Sequence, residues 1–173
     1  MTTANKLTIL RVLMIPAFLV VLYWGFPGCR YVALGIYIVA CLTDLLDGYI
    51  ARHCNQITNF GKFMDPLADK CLVMAALCWF VEEGTFAAWV LAIVLLREFA
   101  VSGMRLVAVE KGRVIAAGWS GKIKTASTMV GLCVMMALPG VTVLNWVVIG
   151  VIVLTTVYSG VEYFIQNWKC LWS

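Results

Sequence analysis

Four aspartates dominate the chemistry available to this chain. Asp44 and Asp47 stand three residues apart, and Asp65 and Asp69 four apart. On a helix either spacing puts the pair on one face. Both pairs fall at the ends of apolar stretches, and a single Asp at the centre of a membrane helix costs about 2.5–3.5 kcal/mol. Four mutually repelling carboxylates cost more unless something positive neutralises them. Hard divalent cations prefer oxygen ligands, and an all-carboxylate set suits magnesium, manganese or calcium. No His or Cys stands among these candidates, which disfavours zinc. Two divalent ions balance four negative charges, and two metals can clamp the oxygens of a phosphoryl displacement.

The residues between the acids refine this chemistry. Gly48 comes one turn after Asp44 and has no side chain, so a bulky group can approach the helix there. Ala51 continues the smooth face. Gly61 permits a tight turn and close approach. Arg52 brings a planar cationic fork suited to phosphate. Each has a plainer reading when taken alone: Gly48 as a helix-packing glycine, Arg52 as an interfacial anchor, one Asp as a proton relay. Small residues at fixed offsets beside four paired acids describe instead a ligand groove with metals in its floor.

The elements that hold these residues follow from composition. Of the 173 residues, 63% are hydrophobic and 13% charged, and mean hydropathy is +0.95. That leaves too little polar surface to cover a soluble globule. A helix crosses the roughly 30 Å of hydrocarbon in about 20 residues. Apolar runs at about Leu7–Trp24, Tyr31–Arg52, Phe63–Val81, Ala87–Val109, Gly121–Leu138 and Leu144–Ile165 make six such helices. The expected fold is an all-α integral membrane bundle forming one domain over 1–173, with no room for a soluble domain and no sign of a cleaved leader. Turn residues break the runs at Gly25-Phe26-Pro27-Gly28, Glu82-Glu83-Gly84 and Leu138-Pro139-Gly140. Longer polar stretches occupy His53–Lys62 and Glu110–Lys124.

Basic residues fix the expected orientation. Lys6, Arg11, Arg52, Lys62, Lys111, Arg113, Lys122, Lys124 and Lys169 fall at the termini and in the second and fourth loops, whereas the other loops hold only Arg30. By the positive-inside rule both termini are cytoplasmic, and so is the end of the bundle that carries the acids. Trp24, Trp89, Trp146, Trp168 and Trp172 fall near expected helix ends, as in an aromatic belt. The seven cysteines (Cys29, Cys41, Cys54, Cys71, Cys78, Cys133 and Cys170) are odd in number and scattered, which suits small packing residues rather than a disulfide or metal framework.

The run D-L-L-D-G-Y-I-A-R, eight residues, then G-K-F-M-D-P-L-A-D has the form D-x2-D-G-x2-A-R-x8-G-x3-D-x3-D. It resembles the signature of the CDP-alcohol phosphatidyltransferases at all eight specified positions: Asp44, Asp47, Gly48, Ala51, Arg52, Gly61, Asp65 and Asp69. The six-helix plan resembles the family over essentially the whole chain. The resemblance implies that Asp44, Asp47 and Asp65 hold two divalent ions (Mg2+, with Mn2+ an alternative), with Asp69 close enough to contribute. It makes Asp69 the general base that takes the proton of the attacking hydroxyl. It makes Gly48, Ala51, Arg52 and Gly61 the CDP-binding face. Asn5, Thr8 and Arg11 resemble the family's N-terminal N-x2-T-x2-R pattern, which helps hold the nucleotide; alone, Arg11 also fits a basic anchor. The resemblance further implies CDP-diacylglycerol as lipid substrate, a homodimer, and a place in the bacterial inner (cell) membrane among its lipids. No nucleic-acid partner is expected.

The acceptor is read from the fourth and fifth helices. Arg97, Glu98 and Arg105 share roughly one face, and Lys122 and Lys124 follow. A buried Arg in lipid needs an acidic partner or an anionic ligand, so these cations suit an acceptor that itself carries phosphate. The other reading pairs Arg97 with Glu98 or an Asp and makes both lysines interfacial anchors. The stretches R-E-F-A-V-S-G-M-R and A-A-G-W-S-G-K-I-K-T resemble those bacterial family members whose acceptor is sn-glycerol 3-phosphate. That resemblance implies an acceptor site at Arg97, Arg105, Lys122 and Lys124. Inositol phosphate, serine or another lipid are alternative acceptors within the family. A cation channel or transporter, or an inert scaffold, are alternatives outside it, and these leave Gly48, Ala51, Arg52 and the N-terminal triplet unexplained.

Overall fold

The computed structural model describes the backbone of residues 3–53, 59–110 and 118–172, and their side chains except at 3–7, 45–53, 59–63, 65, 66, 69 and 169–172. All regular structure among the described residues is helical, in the order α1 (Thr3–Trp24), α2 (Cys29–His53), α3 (Asn59–Glu82), α4 (Ala88–Glu110), α5 (Trp119–Ala137) and α6 (Thr142–Trp172). Six helices stand where six apolar runs were expected. The differences lie at the polar ends. α3 and α5 begin inside the polar stretches, and α6 runs seven residues past Ile165. Hydropathy marks the apolar part of a helix, but its backbone hydrogen bonds continue wherever nothing breaks them. At 31 residues α6 is about 46 Å long, more than the roughly 30 Å hydrocarbon thickness. Its segment Thr142–Trp168 is long and apolar enough to cross a membrane.

The breaks have the expected turn chemistry. The Gly28 carbonyl accepts from the Tyr31 and Val32 amides as α2 starts, and its φ of 87° lies in the left-handed region that glycine adopts without steric cost. Gly84 does the same after α3, with a φ of 81° and its amide donating to the Val81 carbonyl.

The chain divides into two compact units. One comprises residues 1–79 with 133–139. Here α1 packs on α2 in antiparallel register. α1 buries Thr8, Arg11, Phe18 and Leu22, and α2 buries Ala33, Tyr37 and Ala40, each set repeating at helical spacing. Phe18 meets Tyr37 with ring centroids 5.9 Å apart, and Ala33 and Ala40 let the backbones approach closely. Arg30 Nη2 donates to the Met135 carbonyl in the last turn of α5 at 3.1 Å, and the guanidinium lies over Trp79. A cation at a helix C-terminus is favourable against the dipole.

The second unit comprises residues 80–132 with 140–173. Here α4 packs on α6. The buried stripe of α4 is Val90, Val94, Val101, Met104 and Ala108; Arg97 and Glu98 occupy the turn between Val94 and Val101. α5 meets α6 at Gly131, where an added Cβ would stand 2.7 Å from Val148 Cγ1 and 3.5 Å from Ile152 Cδ1. The 2.7 Å contact is closer than a Cβ can sit, so glycine sets this approach.

Outward-facing side chains are strongly apolar. Leu96, Val143, Leu154 and Ile165 each expose more than seven-tenths of their surface, and many more large apolar residues are exposed along the helices. A soluble monomer rarely exposes so many large apolar side chains, whereas lipid tails cover them at no cost. Trp24, Trp89, Trp146 and Trp168 are each more than half exposed, as interfacial tryptophans are. Cys29, Cys41, Cys71, Cys78 and Cys133 are free thiols. Cys71 and Cys78 face outward from α3 rather than packing inside, because each falls opposite the buried Leu72, Val73, Ala76 and Leu77 face. Cys54 and Cys170 lie outside the described side chains.

Replacing Gly131 by Leu overpacks the α5–α6 contact. The expected loss is about 1–3 kcal/mol, read as a lower thermal midpoint in detergent. An unchanged midpoint would show that the helices separate without cost.

Candidate functional site

The described part of the acidic motif begins at Asp44. It stands on the α2 stripe one turn beyond Ala40, and the hydroxyl of Thr43 beside it donates back to the Ala40 carbonyl at 2.7 Å. Arg11 of α1 reaches it: Arg11 Nη1 lies 2.9 Å from Asp44 Oδ1. The Arg11 side chain is 1% exposed and that of Asp44 27%. A guanidinium withdrawn from water to this degree must be paired and hydrogen-bonded to be tolerated. Arg11 is therefore no surface anchor. It is a buried partner of the first acid in the motif. Thr8, one turn earlier on the same stripe, is also buried.

The remaining acids have helical backbones at the expected spacings. Asp47, Gly48, Ala51 and Arg52 lie in α2, and Gly61, Asp65 and Asp69 in α3. Because α2 is unbroken to His53, Asp47 and Gly48 follow Asp44 by one turn and Ala51 by two. Because α3 starts at Asn59, Asp65 and Asp69 sit inside the helix rather than at its mouth. The side chains of these seven residues, and that of Asn5, lie outside the described ones. The donor set offered by the motif is carboxylate only. That chemistry fits hard divalent cations.

A second polar cluster stands in the other unit. Arg97 Nη1 and Lys124 Nζ both donate to Glu98 Oε1, at 2.9 and 2.7 Å. Arg97 Nη2 donates to Ser159 Oγ at 2.6 Å. One carboxylate oxygen thus joins α4 to α5, and the arginine carries the connection to α6. Side-chain exposure is 11% for Arg97, 12% for Glu98 and 4% for Lys124. Two glycines make the space: a Cβ on Gly121 would lie 3.4 Å from Arg97 Nη2, and one on Gly160 3.4 Å from Arg97 Cγ. The two lysines part company. Lys124 is buried, whereas Lys122 is exposed with its ammonium over the Trp119 ring, 4.8 Å from the centroid. Arg105 is engaged with Tyr163, Nε donating to the phenol oxygen at 3.3 Å.

Arg97 also forms part of the wall of a groove of about 670 Å³ along α4 and α6, with Leu96, Val161, Phe164, Ile165 and Trp168 among its lining. That lining suits hydrocarbon rather than a polar alcohol.

The pairing of Arg97 with Glu98 was legible in the sequence as one of two readings. The sharing of Glu98 with Lys124 and the roles of Ser159 and Tyr163 were not. The available signal was the series Thr155, Thr156, Ser159, Glu162 and Tyr163, polar groups recurring every three or four residues in an otherwise apolar helix.

The fold and the acidic motif define a class. The chain belongs to the CDP-alcohol phosphatidyltransferase family, whose family model matches residues 1–158. It is similar to a Bacillus subtilis protein named CDP-diacylglycerol–glycerol-3-phosphate 3-phosphatidyltransferase, 38% identical over 96% of this chain and 95% of the relative. A Mycobacterium tuberculosis protein named probable phosphatidylglycerophosphate synthase is 40% identical, over 92% of this chain and 78% of the relative. A Pseudomonas fluorescens protein with the same name as the Bacillus one is 35% identical over 99% and 92%.

Removing the Arg11 charge leaves Asp44 without its cation. Arg11→Met should lower stability by roughly 1–3 kcal/mol, less than for a fully buried pair because Asp44 keeps some access to water. Adding Asp44→Asn should restore much of that stability while activity stays lost. Additive losses in a double-variant thermal unfolding series would show that the pair is not coupled.

Proposed function

We propose that this chain is an enzyme that transfers the phosphatidyl group of CDP-diacylglycerol to sn-glycerol 3-phosphate, giving phosphatidylglycerophosphate and CMP. Three bacterial relatives that match nearly all of this chain carry names for this activity or its product. The observation that carries the reading is the buried Arg11–Asp44 pair. It brings the N-terminal N-x2-T-x2-R pattern against the D-x2-D-G-x2-A-R motif, which supports reading the two as parts of one nucleotide site.

Asp44, Asp47 and Asp65, with Asp69 contributing, would hold two divalent ions, Mg2+ or Mn2+. Bound there, such ions stabilise negative charge on pyrophosphate oxygens, worth several kcal/mol. The protein's own residues do the rest. Gly48, Ala51 and Gly61 leave room for the nucleotide, and Asn5, Thr8, Arg11 and Arg52 hold it by hydrogen bonds and charge. Asp69 takes the proton of the acceptor hydroxyl, a role worth roughly 10²–10⁴ in rate. The hydroxyl oxygen bonds to the lipid-side phosphorus, the phosphorus–oxygen bond to CMP breaks, and CMP leaves with the electron pair. On the acceptor, Lys124 and Arg97 are the buried cations that meet its phosphate, with Arg105 nearby in sequence on α4. Lys122, exposed against Trp119, serves the membrane surface instead.

The six helices act as six spans of a bacterial cell membrane, with both termini and the acids at the cytoplasmic side by the basic-residue bias. The working form is a homodimer of single-domain chains.

Purified chain given CDP-diacylglycerol and one alcohol at a time should release CMP with sn-glycerol 3-phosphate, and not with serine or inositol phosphate. Faster release with another alcohol would reassign the acceptor. Chelation should stop turnover and added Mg2+ restore it. Asp69→Asn should abolish turnover yet still bind CDP-diacylglycerol; normal turnover would remove Asp69 as the base.

A further inference from the structure

Within the buried turn of α4, Glu98 is the one acid among Arg97, Lys124 and Ser159. Its Oε1 accepts from two cations on two different helices at 2.9 and 2.7 Å. An acid placed so is costly for a phosphate-binding site, because its charge opposes the ligand's. Its presence has to be explained by what it does to the cations. Two like charges this close repel by several kcal/mol at an effective dielectric near 20, and a shared carboxylate oxygen removes that repulsion. Lys is also a flexible point charge with a long stem, whose position an anchor must fix. Arg97 is held on two sides: Nη2 donates to Ser159, and its side chain is packed where Gly121 and Gly160 lack a Cβ. It provides the fixed side against which Glu98 is set, and Glu98 in turn sets Lys124.

We infer that Glu98 is a positioning residue for acceptor recognition: it holds the Lys124 ammonium, against the rigid Arg97–Ser159 pair, in place for the acceptor's phosphate. This rests on the acceptor reading above and extends it to a residue that carries the wrong charge to touch the ligand itself. Glu98 Oε1 thereby joins α4 to α5, and Arg97 extends the connection to Ser159 of α6, so acceptor binding depends on the three helices keeping their spacing.

The test is steady-state kinetics of the full chain in phosphatidylcholine nanodiscs, varying each substrate. Glu98→Gln keeps the size and removes the charge. It should raise the KM for sn-glycerol 3-phosphate by about tenfold or more, the usual scale for losing a charged hydrogen bond. The KM for CDP-diacylglycerol should stay put. Glu98→Asp should recover part of the loss. Glu98→Gln added to Lys124→Gln should weaken acceptor use no further than Lys124→Gln alone, since the first acts through the second. Equal changes in both KM values, or additive losses in the double variant, would overturn the role and leave Glu98 a structural tie. If Glu98→Gln does not assemble, Glu98→Asp alone decides. A selective rise in the acceptor KM supports the role, and none refutes it. Wild-type chain that releases CMP with another alcohol but not with sn-glycerol 3-phosphate would sink the activity itself, which is a different outcome from an unaltered KM in the variant.

Discussion

A charge inside an apolar helix bundle must find its opposite, and that constraint organises this molecule. Lipid tails cannot solvate a guanidinium or a carboxylate. Where the chain places Arg11 on the buried face of α1, the facing turn of α2 presents Asp44 at 2.9 Å. Where it places Arg97 in the buried stripe of α4, Glu98 and Ser159 receive it. Each pairing joins helices that apolar contacts alone would leave free to slide. Leu, Val and Phe contacts have no preferred direction along a helix. Polar contacts of fixed direction supply the register, and register is what a site made from several helices needs.

Small residues are the counterpart of these pairs. Ala33 and Ala40 let α1 and α2 approach around Phe18 and Tyr37. Gly131 lets α5 lie against Val148 and Ile152, and Gly121 with Gly160 leaves the volume that Arg97 fills. Close approach matters twice. It gives van der Waals contact between helices, and it shortens the distance over which one carboxylate must serve two cations.

The two polar clusters differ in kind. The motif on α2 and α3 has an excess of acid, whose natural complement is metal cations and the pyrophosphate they bind. Among the described residues, the cluster on α4, α5 and α6 sets two cations, Arg97 and Lys124, on one acid, Glu98. A reaction that joins a nucleotide-activated lipid to a phosphorylated alcohol has a use for both clusters. The chain shares its family with bacterial relatives over nearly its full length.

Much of this was legible before any coordinates. Six apolar runs predicted six helices, because period and length are local properties of the chain. Gly28 and Gly84 marked turns, because the left-handed φ is a local demand. The helical spacing of the four acids was legible too, because residues three or four apart share a face of any unbroken helix. What the sequence left open was decided by side-chain direction across helices. It did not say whether Arg11 is an anchor or a buried partner, whether Lys122 or Lys124 turns inward, or that Glu98 serves two cations at once. Lys122 and Lys124 differ by two residues, about 200° around a helix axis, so one of them must face away. Which one depends on where α4 and α6 stand, and that is a property of packing between distant segments. Spacing along one helix fixes which residues share a face; only the assembled helices fix what that face meets.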